Sequence, residues 1–433
     1  MKYFSTRNNN QSYSFKDAVL HGLAPDGGLF VPENIHNLNL DFKKISTNYD
    51  IKEIALNISK NFIAEEIPED QLINIIEKTL SFPSPLVRLT AQVQIQELFH
   101  GPTLAFKDFG ACFMANVMDY FVRNSDRELN ILVATSGDTG SAVASGFLGI
   151  PRINVFILYP NGKVSEVQEK QFTTLGNNIT ALRIDGTFDD CQNLVKEAFQ
   201  DSLLKSKINL SSANSINIAR LIPQTFYYFD GFLQTRQNHK VVFSVPSGNL
   251  GNLTAGVIAK KMGLPVKKFV AATNRNNVFT EYLISGRYQS KKSVQTFSNA
   301  MDVGKPSNLE RLGWIYGNDI FKFRNDIASF SFSDSETVRA IQLVQDSHNY
   351  ILDPHGAIGY LALAKYQQSL ADSHTGVILE TAHYSKFLEV IKLALPQNKL
   401  SLHERLSKCL NTESKFVPLS NEYAELKEYL LNF

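Results

Sequence analysis

Lys107 lies in the stretch Phe99-His100-Gly101-Pro102-Thr103-Leu104-Ala105-Phe106-Lys107-Asp108-Phe109-Gly110, one residue after a phenylalanine and two before another. Gly101 and Pro102 keep the chain out of regular helix to about Thr103, because proline lacks an amide donor and glycine adds backbone freedom. Beyond it Phe109, Phe113, Val117 and Phe121 recur at helical spacing, so a helix with an apolar face begins just after Lys107. Asp108 in its first turn suits the positive end of the helix dipole. A lysine held among aromatics at a helix N-terminus has its charged form disfavoured by desolvation and by that dipole. The neutral amine is the form that attacks an aldehyde to make a Schiff base. Alone, such a lysine reads first as one whose stem covers apolar surface. Its partners along the chain change that.

Three segments could hold anions. Ser247-Gly248-Asn249-Leu250-Gly251-Asn252 follows an apolar strand, Val241–Val245, and precedes a helix over Leu253–Met262. Backbone N–H groups in such a turn bind phosphate through peptide dipoles alone. The loop lacks the Gly-Lys-Ser/Thr ending of a nucleoside-triphosphate site and the Gly-x-Gly-x-x-Gly of a dinucleotide site. A tight turn without a ligand explains it equally well. Thr135-Ser136-Gly137-Asp138-Thr139-Gly140-Ser141 repeats the arrangement with more hydroxyls and suits a carboxylate, although a plain strand-to-helix turn with a capping hydroxyl also accounts for it. Around Arg220, Asn217 falls on the same helical face and Asn214 and Ser215 add donors, a set that can grip a phosphate dianion. A helix cap plus a surface arginine is the plainer alternative there. Lys163, after Pro160-Asn161-Gly162, is a second candidate for that phosphate, with a solvated loop lysine as the default. A Schiff-base lysine with three anion sites is what a pyridoxal-phosphate enzyme needs to act on an amino acid carrying its own phosphate.

The elements that must position these groups alternate. Strands are expected at Leu129–Ala134, Asn154–Tyr159, Ile179–Ile184, Val241–Val245, Phe269–Thr273 and Gly376–Glu380, with helices between them. This predicts an α/β protein with a parallel sheet covered by helices on both faces. Residues 1–90 form a mostly helical lead-in, with amphipathic helices near Ile51–Phe62 and Pro68–Leu80, and end at Phe82-Pro83-Ser84-Pro85. Two α/β domains are expected to follow, 91–240 with the lysine, carboxylate loop and arginine cluster, and 241–433 with the phosphate loop and a helical tail.

Bulk properties narrow the partners. The 433 residues carry a net charge of +1, with 43% hydrophobic and 20% charged residues, so no basic field points to nucleic acid or a membrane surface. No run of about 18 apolar residues predicts a membrane span, and the polar start lacks the apolar core of a signal peptide. Three cysteines without metal-ligand spacing read as reduced thiols in the cytoplasm, and no metal site is expected.

Phe99–Gly110, Thr135–Ser141, Asn214–Arg220, Ser247–Asn252, Asp353–Gly356 and Thr381–Phe387 resemble the motifs of the threonine synthase family. So do Gly22–Pro32, Gln168–Thr174 and Ser298–Asn308. These are pyridoxal-phosphate enzymes of fold type II, similar to the tryptophan synthase β subunit, and the helical lead-in is like that of the longer bacterial and fungal branch. The resemblance implies twisted, mostly parallel sheets flanked by helices, and domains that close on the cofactor. It implies that Lys107 carries pyridoxal 5'-phosphate and shuttles protons, that Gly248, Asn249, Leu250, Gly251 and Asn252 hold the cofactor phosphate, and that Thr381 faces the pyridine nitrogen. Thr135, Ser136, Asp138 and Thr139 would form the substrate-carboxylate loop. Asn214, Ser215, Asn217, Arg220 and Lys163 would bind the substrate phosphate. The implied reaction is O-phospho-L-homoserine plus water giving L-threonine and phosphate, in a monomer or small homo-oligomer. A phospho-lyase releasing 2-oxobutyrate from the same substrate is the alternative. Two departures stand out: Tyr384 and Ser385 replace the usual Pro-Ala beside Thr381, which questions the rigidity of that loop, and Leu250 stands where phenylalanine is common.

Overall fold

Val241–Pro246 and Thr375–Glu380 are nearly continuous apolar runs with every residue buried, as strands covered on both faces must be. The computed structural model describes residues 1–42, 45, 49–235, 241–369 and 374–433. In it the two strands are central to a six-stranded sheet. Its spatial order is Ile327–Ser331, Val266–Thr273, Val241–Pro246, Thr375–Glu380, Val93–Glu97 and Leu86–Arg88, all parallel except the last. A second, wholly parallel sheet has five strands in the order Val417–Ser420, Ile179–Asp185, Ile153–Pro160, Leu129–Ala134 and Asn209–Ser212.

These sheets cross the expected boundaries. Val93–Glu97, from the expected 91–240 unit, pairs in the sheet built mainly from 241–433. Val417–Ser420, in the tail expected to be helical, returns to the edge of the other sheet beside Ile179–Asp185. Both are short, and Val-Gln-Ile-Gln-Glu is too polar to read as a buried strand; only pairing with Thr375–Glu380 makes it one. The lead-in contains the expected helices, Ile51–Ile63 and Glu69–Thr79, and a small antiparallel ribbon of Tyr3–Ser5 with Phe30–Pro32.

The helix Lys107–Val122 runs through the core. Phe109, Phe113 and Val117 are buried as their spacing predicts, and Phe121 meets Phe15 at 6.1 Å. Ala111, Met114, Ala115 and Met118 are buried too, because Asp138–Phe147 and Glu69–Thr79 pack on other sides of the same helix. Phe109 stacks edge-on with Phe82 at 4.6 Å and Tyr227 at 5.4 Å. The buried Phe109 and Tyr227 rings contribute about 1.5–3 kcal/mol each, which holds the first turn of the helix, and Lys107 with it, against a rigid base.

Candidate active site

The loop before Lys107 is pinned to the segment after Thr375–Glu380. Phe106 N–H donates to Thr381 O at 2.8 Å, His383 N–H donates to Leu104 O at 3.1 Å, and Ala105 bridges Ala382. Asp108 folds back to accept from Thr103 N–H at 2.8 Å and Thr103 Oγ1 at 2.6 Å. This turn needs Gly101, since a Cβ there would lie 2.4 Å from Asp108 Oδ2. Lys107 and Thr381 thereby share one wall of a cavity of about 1600 Å³. Burial pushes the Lys107 amine below the ordinary lysine range; Asp138 pulls it up, and Lys386 and Arg220 push it down again.

The loop expected to hold phosphate faces the same cavity with all of Gly248, Asn249, Leu250, Gly251 and Asn252. Leu250 takes φ +60° at the head of the helix Gly251–Lys261, turning successive amides in one direction. The N–H groups of Gly248, Asn249 and Leu250 have no acceptor among the described residues. Asn252 Oδ1 accepts from the hydroxyls of Tyr227 and Tyr228, each at 2.7 Å, which fixes the amide and leaves its buried NH₂ without a partner. Gly248 is required here: a Cβ would sit 2.6 Å from the Met301 Cα.

In the hydroxyl-rich loop, Ser136, Asp138 and Thr139 line the cavity. Thr135 also touches it, but its hydroxyl is used locally, accepting from Gly137 N–H at 3.0 Å and Gly140 N–H at 2.8 Å. It shapes the loop. Gly137 at φ +143° lets the chain pass Gln168, whose amide a Cβ would strike at 2.6 Å.

Asn214, Ser215 and Arg220 join the cavity wall. Arg220 is buried, donates from Nη1 to Ala213 O at 2.7 Å, and has no acceptor for Nε. No carboxylate among the described residues pairs with it, and burial lowers its guanidinium to about 10. Two expected members of this cluster lie elsewhere. Asn217 is fully buried as the cap of the short helix Ile218–Leu221, its amide spent on Val19 O, Ser212 O and Ala219 N–H. Lys163 is exposed, donates to Gly186 O at 3.1 Å, and does not line the cavity. Spacing places neither: Asn217 turns inward because a cap must face its own helix, and Lys163 stays in water on its turn.

The Tyr384-Ser385 departure leaves an ordered loop. His383 Nδ1 accepts from Ser385 N–H at 3.2 Å and lies 2.7 Å from Ser385 Oγ, while Tyr384 stacks on the His383 ring at 4.5 Å. A side-chain cap and a ring stack here do the work that proline does through its fixed φ.

Three family profiles match the chain: Threonine synthase N terminus over residues 2–80, Pyridoxal-phosphate dependent enzyme over 79–381, and Threonine synthase, C-terminal over 356–430. The threonine synthase of Haemophilus influenzae is 43% identical over 433 residues, covering 100% of both chains. The chain belongs to the threonine synthase family. Among solved structures, the threonine synthase of Escherichia coli matches with TM-score 0.93 at 39% identity over 100% of each chain. The pyridoxal-phosphate-bound threonine synthase of Brucella melitensis matches at 0.92 and 36%, over 100% of this chain and 99% of that one. This family member is thus a pyridoxal-phosphate-dependent enzyme of fold type II.

Its residues fit that cofactor on their own geometry. The cavity offers a lysine whose charged form is disfavoured by burial and, among the described residues, a row of acceptor-free N–H groups at a helix N-terminus with an unpartnered Asn252 amide beside them. Thr381 presents a nearly buried hydroxyl on the wall it shares with Lys107. Sequence spacing did not single out Lys386 or Arg311, both fully buried cations near this cavity. Burial of a charged side chain leaves no periodic signal.

Proposed function

We propose that the chain converts O-phospho-L-homoserine and water into L-threonine and inorganic phosphate, with pyridoxal 5'-phosphate carried on Lys107. The observation that supports this substrate is Arg220, a buried guanidinium at the cavity wall with a free Nε and no carboxylate partner among the described residues. A buried charge without a counter-ion is costly, and a bound dianion offsets that cost.

When bound, the cofactor supplies an electron sink conjugated to the substrate's α carbon. The N–H groups of Gly248, Asn249, Leu250 and Gly251 and the Asn252 amide hold its phosphate. The Thr381 hydroxyl would face the pyridine nitrogen, and a neutral partner would leave that nitrogen less firmly protonated than a carboxylate would. Ser136 and Thr139, with the amides that head the helix Asp138–Phe147, take the substrate carboxylate. Arg220, with Asn214 and Ser215, takes the substrate phosphate. Lys107 as a free amine would withdraw the α proton and then a β proton as the γ phosphate leaves, return one proton to the γ carbon so that the β carbon becomes open to water, and return the last to the α carbon after water has added. Arg220 meanwhile offsets the charge that builds on the departing phosphate. The released phosphate, kept on Arg220, accepts the proton of the incoming water.

Borohydride reduction of the holoprotein, followed by peptide mass spectrometry, should find the pyridoxyl group on Lys107; finding it elsewhere overturns the assignment. Given O-phospho-L-homoserine, the protein should release threonine and phosphate in equal amounts. Release of 2-oxobutyrate instead would make it a phospho-lyase. Free cysteines at 112, 191 and 409 fit a reducing compartment, and among the described residues no helix is long and apolar enough to cross a membrane. A cytoplasmic monomer or small homo-oligomer completes the proposal.

A further inference from the structure

Asp138 faces two lysine side chains. Lys386, in the short turn Tyr384–Phe387 that follows Thr381, has a fully buried side chain and reaches Asp138 Oδ1 at 2.7 Å. Its Nζ also donates to Thr103 O at 2.9 Å. Gln168 Nε2 donates to the same Asp138 Oδ1 at 2.8 Å. Lys107 stands off, with Nζ 3.9 Å from Asp138 Oδ2. The closer pair therefore joins the two sheets: Asp138 heads the helix that follows Leu129–Ala134, and Lys386 follows Thr375–Glu380. Lys386 is not among the residues that line the cavity.

The charges set a constraint. A buried carboxylate stripped of its partner costs several kcal/mol. Were Lys107 the only cation beside Asp138, losing the Lys107 proton would strand that carboxylate, and the amine would stay charged and inert as a nucleophile. A second cation at better distance removes the conflict. We propose that Lys386 is a positioning residue: it takes Asp138 as its ion partner, so that the Lys107 amine can work uncharged.

The remaining charges around Lys107 divide, Arg220 pushing its amine down and Asp353 pulling it up. Arg220 faces it from the Ile218–Leu221 helix and Asp353 from the cap of Pro354–Gln368, while Asp108 on its own helix is turned to Thr103. Burial opposes the ionisation of Asp138, yet Lys386 and Lys107 hold it well below the usual carboxylate range.

This inference rests on Lys107 as the cofactor-bearing lysine, so the test reads cofactor capture directly. The full-length protein is stripped of cofactor, and the rate at which it captures added pyridoxal phosphate is followed by visible absorbance across pH. Mass spectrometry of the reduced adduct locates the site. In Lys386→Met the pH of half-maximal capture should rise by about 1–3 pH units, the effect of an uncompensated carboxylate within 4–6 Å. Lys386→Arg, which keeps the charge, should match wild type. Lys386→Met/Asp138→Asn, which removes both charges and leaves none buried alone, should return close to wild type; it also decides the matter if Lys386→Met does not fold. An unmoved Lys386→Met, a displaced Lys386→Arg, or a double variant far from wild type would overturn the proposal. Capture by wild type at another residue would instead overturn the role of Lys107.

Discussion

Arg311 donates from Nε to the Phe30 carbonyl at 3.1 Å, tying the N-terminal ribbon to the helix Leu309–Tyr316. The same guanidinium donates to Ser215 O, Ile216 O and Asn308 Oδ1, and Asn308 in turn donates to Asn249 O. One fully buried side chain thus connects the lead-in, the Asn214–Arg220 segment and the cofactor loop. Burial lowers its guanidinium to about 9, and carbonyls rather than a carboxylate satisfy it. Arg311→Met should leave several buried acceptors unpaired, each worth about 1–3 kcal/mol. A lower Tm and a raised KM for the phosphorylated substrate are the expected outcomes, measured by calorimetry and steady-state kinetics. Arg311→Lys should not rescue it, because an ammonium lacks the planar fork that reaches three carbonyls at once.

Gly110 lies one turn beyond Lys107 and underneath Arg220. A Cβ at this position would stand 2.8 Å from Arg220 Nε and 2.9 Å from Arg220 O. Gly110→Ala should therefore shift the guanidinium without touching the cofactor loop. Since a displacement of about 1 Å can cost on the order of 10²-fold in rate, kcat/KM should fall by about 10–100-fold. The absorbance of bound pyridoxal phosphate should stay as in wild type. Loss of cofactor together with activity would show that the lysine helix itself had moved.

What could be read from the chain alone follows from what is local. The Lys107 loop and Ser247–Asn252 were legible because glycine, proline and a following apolar period report backbone geometry within a few residues. Asn217 and Lys163 were not, since spacing puts a side chain on a face without saying what that face meets. Asn217 turns to Val19, which lies far away in sequence and is invisible to any local pattern. Lys386 and Arg311 were missed for the same reason. Each is a long, charged side chain that looks solvated in a sequence and is buried only by contacts between distant segments. The sheet order shows it again, because Val93–Glu97 becomes a strand by pairing with a partner that comes almost at the end of the chain.

Asn252 offers a cleaner test of the cofactor cradle than the glycines around it. Its carbonyl is held by two tyrosine hydroxyls, so Asn252→Asp keeps both of those hydrogen bonds while replacing the inward NH₂ by a carboxylate oxygen. The variant should fold normally and repel the cofactor phosphate. A weakening of about 10²-fold in pyridoxal-phosphate affinity, near 3 kcal/mol, is expected. Fluorescence titration of the stripped protein measures it, and unchanged affinity would remove Asn252 from the cradle.

His383 should make the protein acid-sensitive. Burial, reinforced by the neighbouring His403 and His100 rings, pushes its imidazole down to about 4. In the unfolded chain it titrates near the ordinary value of about 6.5, so between those two pH values the unfolded state binds the proton and the folded state does not. Stability from the neutral ring is then complete above about pH 6.5 and drains as pH falls toward 4. The most it can amount to is about 3 kcal/mol, less where the ring keeps contact with water. His383→Asn retains an acceptor for Ser385 N–H but cannot titrate. Its Tm should therefore decline less steeply than that of wild type over this window, while the two proteins keep a constant difference above about pH 7. Parallel declines below pH 6.5 would assign the acid sensitivity to other groups.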